Sequence, residues 1–135
     1  MPTVSRKGIL AIPAVIDVAI NARARPVSAK ALAVRHRLPP RHLEPILQAL
    51  VREGILRGVR GPHGGYELAR NRGHINAEDI LRAVNSADDE HPLLPNSALA
   101  NDVVKPALAE AERTFSAALA RISVEDMAKQ AGALK

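Results

Sequence analysis

Residues 41–70 read RHLEPILQALVREGILRGVRGPHGGYELAR. Leu43, Ile46, Leu47 and Leu50 recur at the i, i+3, i+4, i+7 spacing of one helix face, while Arg41, Glu44, Gln48 and Arg52 fall on the other side. Pro40 suits the first turn of such a helix and Gly54 its end, so a helix is predicted over 41–53. Pro45 lies inside it and removes a backbone hydrogen bond, which predicts a bent or distorted first turn. The character then changes. ILRGVR and YELA are short and partly alternating, and Gly61-Pro62-His63-Gly64-Gly65 between them is rich in turn residues. This is the pattern of a two-stranded hairpin with a tip loop. A lone hairpin is marginal in water, so it must pack on the helices, with Tyr66 and Leu68 pointing inward.

Upstream, Ile9, Ile12, Ile16 and Ile20 are three to four residues apart and mark one face of a first helix. Pro13 inside it predicts a late start or a bend. Arg25-Pro26 closes the segment, and Ser28 is a good N-cap for a short second helix over 29–37. Leu38-Pro39-Pro40 is a break, because a proline pushes its predecessor out of the helical region.

Downstream, Asn76 caps a fourth helix that runs to about Asn85, with Asp79 at its third position and Ile75 and Ile80 as a hydrophobic staple. Residues 86–102, polar, acidic and proline-containing, read as a linker loop. Val104, Leu108, Ala111, Phe115, Ala118 and Ile122 then follow at spacings of 4, 3, 4, 3 and 4, the seam of a long helix packed on another helix. The partner helix can lie in the same chain or in a second one, and an ordinary amphipathic helix on its own core is the plainer alternative. Ser123 caps a short sixth helix. The expected fold is mostly α with a small β-hairpin.

The chain has 135 residues, 47% apolar and 1% aromatic, so its core must be aliphatic and alanine-rich, a composition that favours packed helices. No apolar run approaches the ~18 residues of a membrane span. Arg6 and Lys7 precede an apolar stretch, but Pro13 and Asp17 interrupt it, so it does not read as a signal peptide. With no cysteine, disulfides, thiolate zinc sites, thiolate-ligated iron–sulfur clusters and cysteine nucleophiles are excluded. The net charge of +5 is unevenly placed: residues 1–74 balance at +9 and residues 75–135 at −4. A basic half joined to an acidic half suggests that the first meets a polyanion.

Helix, short helix, turn, helix and basic hairpin is the layout of a winged helix-turn-helix, whose second motif helix enters the DNA major groove. Here that helix offers Arg41, His42, Glu44 and Gln48; arginine suits guanine edges, glutamine suits adenine, and glutamate can accept from a cytosine amino group. Arg57 and Arg60 flank the hairpin tip. Gly64 and Gly65, with Gly61, allow close approach of backbone to phosphate, and arginine suits a narrow minor groove. Ser28 and Lys30 at the start of the second helix, and His63 at the tip, complete the candidate DNA-binding set.

The run HLEPILQALVREGILRGVRGPHGGYELAR followed by INAEDILRAV resembles the Rrf-type (Rrf two) bacterial transcriptional regulators. The resemblance rests on Leu43-Glu44, Leu47 and Leu50, Gly54-Ile55, the segment from Arg60 to Ala69, and Ile75 with Asp79-Ile80; RGPHGGY is its most specific piece. It covers about residues 4–85 strongly and the long helix more loosely. It implies a winged helix-turn-helix domain over 1–85, a linker over 86–102, and a dimerisation helix with a short C-terminal helix over 103–135. It also implies a cytoplasmic homodimer that binds palindromic operators on double-stranded DNA, here as a repressor. Val104, Leu108, Ala111, Phe115, Ala118 and Ile122 then become the dimer interface. An unidentified small molecule or protein is expected as effector.

One departure is large. Several members carry three cysteines after the fourth helix and bind an iron–sulfur cluster there, whereas residues 86–102 have none here. No cofactor and no metal are therefore expected. His91 stands alone in that loop, and His36, His42, His63 and His74 lack metal-ligand spacing. No catalytic residue is expected either: GPHGGY lacks the lysine and context of a phosphate loop, and the serines lack a nucleophile elbow. The competing reading is a protein-interaction module that keeps the fold and acts by binding an enzyme or another regulator.

Overall fold

The computed structural model describes residues 5–85 and 96–133. Its elements in order are α1 (Arg6–Asn21), α2 (Ala29–Arg35), α3 (Pro40–Arg52), β1 (Leu56–Val59), β2 (Gly65–Leu68), α4 (Ala77–Val84), α5 (Lys105–Ala120) and α6 (Val124–Ala133). A mostly helical chain with one antiparallel hairpin is what the sequence patterning led us to expect.

Helix α1 is the central post. Ser5 caps it by accepting from the Gly8 amide at 3.1 Å, and the helix is continuous through Pro13. Its buried face is not the isoleucine row. Ala11, Ala14, Val15 and Val18 are buried, whereas Ile9 is 59% exposed and Ile12, Ile16 and Ile20 are half-buried. The reason is steric: α3, α4, α6 and β2 all pack on α1, and small side chains let several neighbours approach one helix closely.

Helix α2 stops at Arg35 rather than at residue 37. Arg37 adopts φ 54°, a left-handed position that turns the chain toward α3. Pro40 opens α3, as its fixed φ allows, and α3 then runs unbroken through Pro45. Leu43, Ile46, Leu47 and Leu50 are all buried, which fixes the opposite side as the outer face.

The hairpin pairs Leu56 with Leu68, Arg57 with Glu67, Gly58 with Tyr66 and Val59 with Gly65. It does not stand alone. Val27 bridges Tyr66 on the open side of β2, with both backbone N–H···O bonds made, at 2.9 and 2.8 Å. Tyr66 and Leu68 pack against the core as expected. The expected capping box of α4 is present: the Asn76 side chain accepts from the Asp79 amide at 2.8 Å, and Asp79 accepts from the Asn76 amide at 3.1 Å. Ile75 and Ile80 are fully buried.

The second half differs from expectation in three ways. Helix begins inside the stretch read as a linker: Ser97 caps the Ala100 amide, and Ala100–Val104 form a π turn leading into α5. Pro106 lacks the N–H that an α-helix would direct to the Asp102 carbonyl, and the wider turn accommodates that gap. The long-helix seam is interrupted at both ends, since Val104 lies in the π turn and Ile122 beyond α5. Finally, α6 returns to the first half of the chain. The Ala77 amide donates to the Ile122 carbonyl and the Val124 amide to the Ile75 carbonyl, each at 2.8 Å, and Val124 is fully buried in the main core. The acidic run Asp88, Asp89 and Glu90, with His91, lies outside the described residues.

Candidate nucleic-acid interface

Three pieces of backbone set the site. The outer face of α3 exposes Arg41, His42, Glu44 and Gln48. Residues 60–64 form the wing tip, closed by a Gly64 amide bond to the Gly61 carbonyl at 2.9 Å, and expose Arg60 and His63. The start of α2 exposes Lys30, while Ser28 is half-buried and its hydroxyl accepts from the Ala31 amide at 3.0 Å. The Val27–Tyr66 bridge ties the wing to the start of α2, so the wing and the helix pair form one mechanical unit.

The glycines of the tip have a duty within the fold. A Cβ on Gly65 would sit 2.4 Å from the Val27 carbonyl oxygen, and one on Gly64 would sit 2.2 Å from the Val59 carbonyl oxygen. Both contacts are with backbone and cannot be relieved by a rotamer change. Beside the phosphate approach expected from the sequence, the geometry gives each a packing constraint: Gly65 against Val27, where the wing meets the start of α2, and Gly64 against Val59, within the hairpin itself. Arg57 also differs from Arg60. It lies within the sheet and pairs with its cross-strand neighbour Glu67 at 3.3 Å. Arg60 makes no ion pair among the described residues.

Beneath the helix pair lies a cluster that the sequence reading missed. Asp17 on α1 is 7% exposed and receives Arg35 Nε and Nη2 at 2.8 and 2.7 Å, the Asn21 amide at 3.0 Å, and a contact from His36 Nε2 at 2.9 Å. Burial alone would raise the Asp17 pKa. The hydrogen bonds from Arg35, Asn21 and His36, with the Arg35 charge, outweigh burial and hold it below the ordinary value. The Asp17 hydrogen bond in turn raises the Arg35 pKa. The cluster locks the end of α2 to α1 and so sets the angle at which the helix pair is presented. The available signal was a lone carboxylate in an otherwise apolar helix, with a partner amide four residues on.

The intended pairing seam divides in the structure. Val104, Leu108 and Phe115 are half-buried within the chain, whereas Ala111, Ala118 and Ile122 are exposed. No residue of α5 is fully buried. Leu99 and Val103, just ahead of it, are 68% and 57% exposed.

A helix pair with a hairpin wing, exposing Arg41, His42 and Arg60 on its outer face, defines a winged-helix protein of the nucleic-acid-binding class. The chain belongs to the Rrf2 family, described as iron-dependent transcriptional regulators, whose model matches residues 4–130. It is 35% identical to the HTH-type transcriptional regulator IscR of Citrobacter koseri over 83 residues, covering 62% of this chain and 51% of that protein. It is 38% identical to an HTH-type transcriptional regulator of Haemophilus influenzae over 79 residues, 58% of this chain and 53% of that one. The chain thus spans about half the length of the curated relatives it matches. Among solved structures it is similar to T. potens IscR, with a TM-score of 0.76 and 31% identity over 96% of this chain and 88% of that chain. It is also similar to CymR, the global cysteine regulator of B. subtilis, with a TM-score of 0.73 and 25% identity over 96% and 98% of the two chains. These relatives are regulators, not enzymes.

The iron in the family description meets a donor set that does not fit a thiolate-held cluster. The chain has no cysteine, and no group of three His, Asp or Glu able to hold a metal occurs among the described residues. No described helix is long and apolar enough to cross a membrane.

Proposed function

We propose that the protein is a sequence-specific DNA-binding repressor that acts as a homodimer on a palindromic operator. The observation that carries this reading is the exposed row Arg41, His42, Glu44 and Gln48 on α3, joined through the Val27–Tyr66 bridge to a wing that presents Arg60. In this reading α3 enters the major groove, where Arg41 suits a guanine edge, Gln48 an adenine edge and Glu44 a cytosine amino group. Arg60 and His63 lie along the flanking minor groove, with Gly64 and Gly65 holding the tip in place. Ser28, Lys30 and Arg57 contact phosphates and fix the register. Two chains joined through α5 set their α3 helices about one helical turn of DNA apart, ~34 Å. The exposed Ala111, Ala118 and Ile122, with Val104, Leu108 and Phe115 beside them, supply that contact.

Selection of binding sites from random DNA tests this directly. A palindromic site bound far more tightly than random DNA, with affinity falling steeply as salt rises, is the expected result. Weak binding, equal on all sequences, overturns it in favour of a protein-interaction module.

A further inference from the structure

A groove of about 800 Å³ runs between the start of α1, one flank of α3 and the end of α4. Its floor is apolar. Leu10, Ile46, Ala49 and Val84 line it, and Ile46, Ala49 and Val84 are buried, so the floor is part of the core surface and is preformed. The hydrogen bond from Ser5 Oγ to Asn85 Oδ1, at 2.7 Å, ties the start of α1 to the end of α4 at one end of the groove. The rim is cationic: Arg6 comes from α1, and Arg41 and Arg52 from α3. None of the three is paired with a carboxylate, and no Asp or Glu lines the groove, among the described residues.

An apolar floor of this size with a few convergent charged groups is the form of a small-molecule site. Unpaired guanidiniums on two sides select an anion, and their planar fork matches a carboxylate. A DNA strand would satisfy the guanidiniums but leave the apolar floor uncovered. We propose that this groove binds a small amphipathic carboxylate, its acyl or aryl part on the floor and its head between Arg6 and the α3 arginines. Arg41, His42 and Gln48 line the groove and also form the outer face of α3. Occupancy therefore withdraws them from DNA, and the ligand acts as an inducer; this second half rests on the DNA reading above. By linkage, DNA weakens the ligand by the same factor that the ligand weakens DNA.

Decanoate, below its micellar range, is the probe, with decanol as its uncharged counterpart. Calorimetric titration into the full chain should show one decanoate per chain, bound at least about tenfold more tightly than decanol. Arg6→Glu should weaken decanoate by about tenfold or more. Arg6 is exposed at the first position of α1, where an acidic residue suits the helix, so the fold is kept. Arg52→Gln, at the other side, should weaken it in the same direction. Decanoate should also release a selected operator, read by fluorescence anisotropy. Binding no tighter than that of decanol, or unchanged by Arg6→Glu, overturns the site. Binding as described without release of a bound operator overturns the inducer role. A chain that binds decanoate as described but selects no DNA sequence supports the site and refutes the repressor reading.

Discussion

Among the described residues Asp17 is the one buried charge, and its environment is built to keep it ionised. A carboxylate whose folded pKa lies below its unfolded value, about 3.9, contributes stability that is fully present above that value. The contribution is lost as pH falls through the lowered folded pKa. Asp17→Asn should therefore cost about 1–3 kcal/mol near neutrality, where it removes charge-assisted hydrogen bonds from Arg35. The gap between variant and parent should narrow as pH falls below about 4, where the unfolded parent takes up a proton, and close only below the lowered folded pKa, where both carry a neutral side chain. Urea unfolding at pH 7 and pH 3 measures both arms; a gap independent of pH would mean that the carboxylate charge contributes nothing. Gly65 answers to a different constraint. Gly65→Ala drives a methyl group into the Val27 backbone and should destabilise by about 1–3 kcal/mol, whereas Arg60→Ala, on the exposed tip, should leave the unfolding midpoint within about 0.5 kcal/mol.

At the scale of elements, the wing and α3 do different work on DNA and should fail differently. Arg60→Ala should weaken binding to all sequences and reduce the salt slope by roughly one unit. Gln48→Ala should instead alter which sequence is preferred, with a discrimination loss of about 1–3 kcal/mol at one base pair. If Gln48→Ala weakens every site equally in a binding-site selection, it is not a base reader. These elements were legible in the sequence because local chemistry decides them: the four-residue apolar stripe of α3, the glycine-rich tip, and the Asn76–Asp79 box each lie within a few residues. What the sequence did not disclose depends on distant partners. The isoleucines of α1 promised a buried face, but four elements converge on the alanine side. The Val27–Tyr66 bridge and the Asp17–Arg35 contact join residues 39 and 18 apart, and no periodicity reports such pairs. The Arg6–Arg52 rim of the groove was invisible for the same reason.

The whole molecule poses the question of assembly. Helix α5 buries none of its residues fully, and apolar side chains from Leu99 onward stay exposed beside it, more than a lone helix of a finished fold needs. Leu108 is half-buried within its own chain, so a charge there would test folding and pairing together. Ala118 is exposed, and Ala118→Glu isolates pairing. Sedimentation should show the parent as a dimer and Ala118→Glu as a monomer, with the operator lost and the circular dichroism spectrum kept. An Ala118→Glu chain that remains dimeric places the contact elsewhere.

The seam between wing and helix pair is made of main-chain atoms. Val27 and Tyr66 hold each other through amides and carbonyls that every non-proline residue possesses, and the glycine contacts are likewise with backbone. The aim of the wing is therefore independent of which side chains its tip displays. Over evolutionary time, substitutions at positions 60, 62 and 63 can accumulate and change what is recognised without disturbing how the wing is held. Positions 64 and 65 have no such freedom, because a side chain at either would meet backbone. Such a joint lets a lineage diversify its targets one tip residue at a time, with foldability left intact at every intermediate.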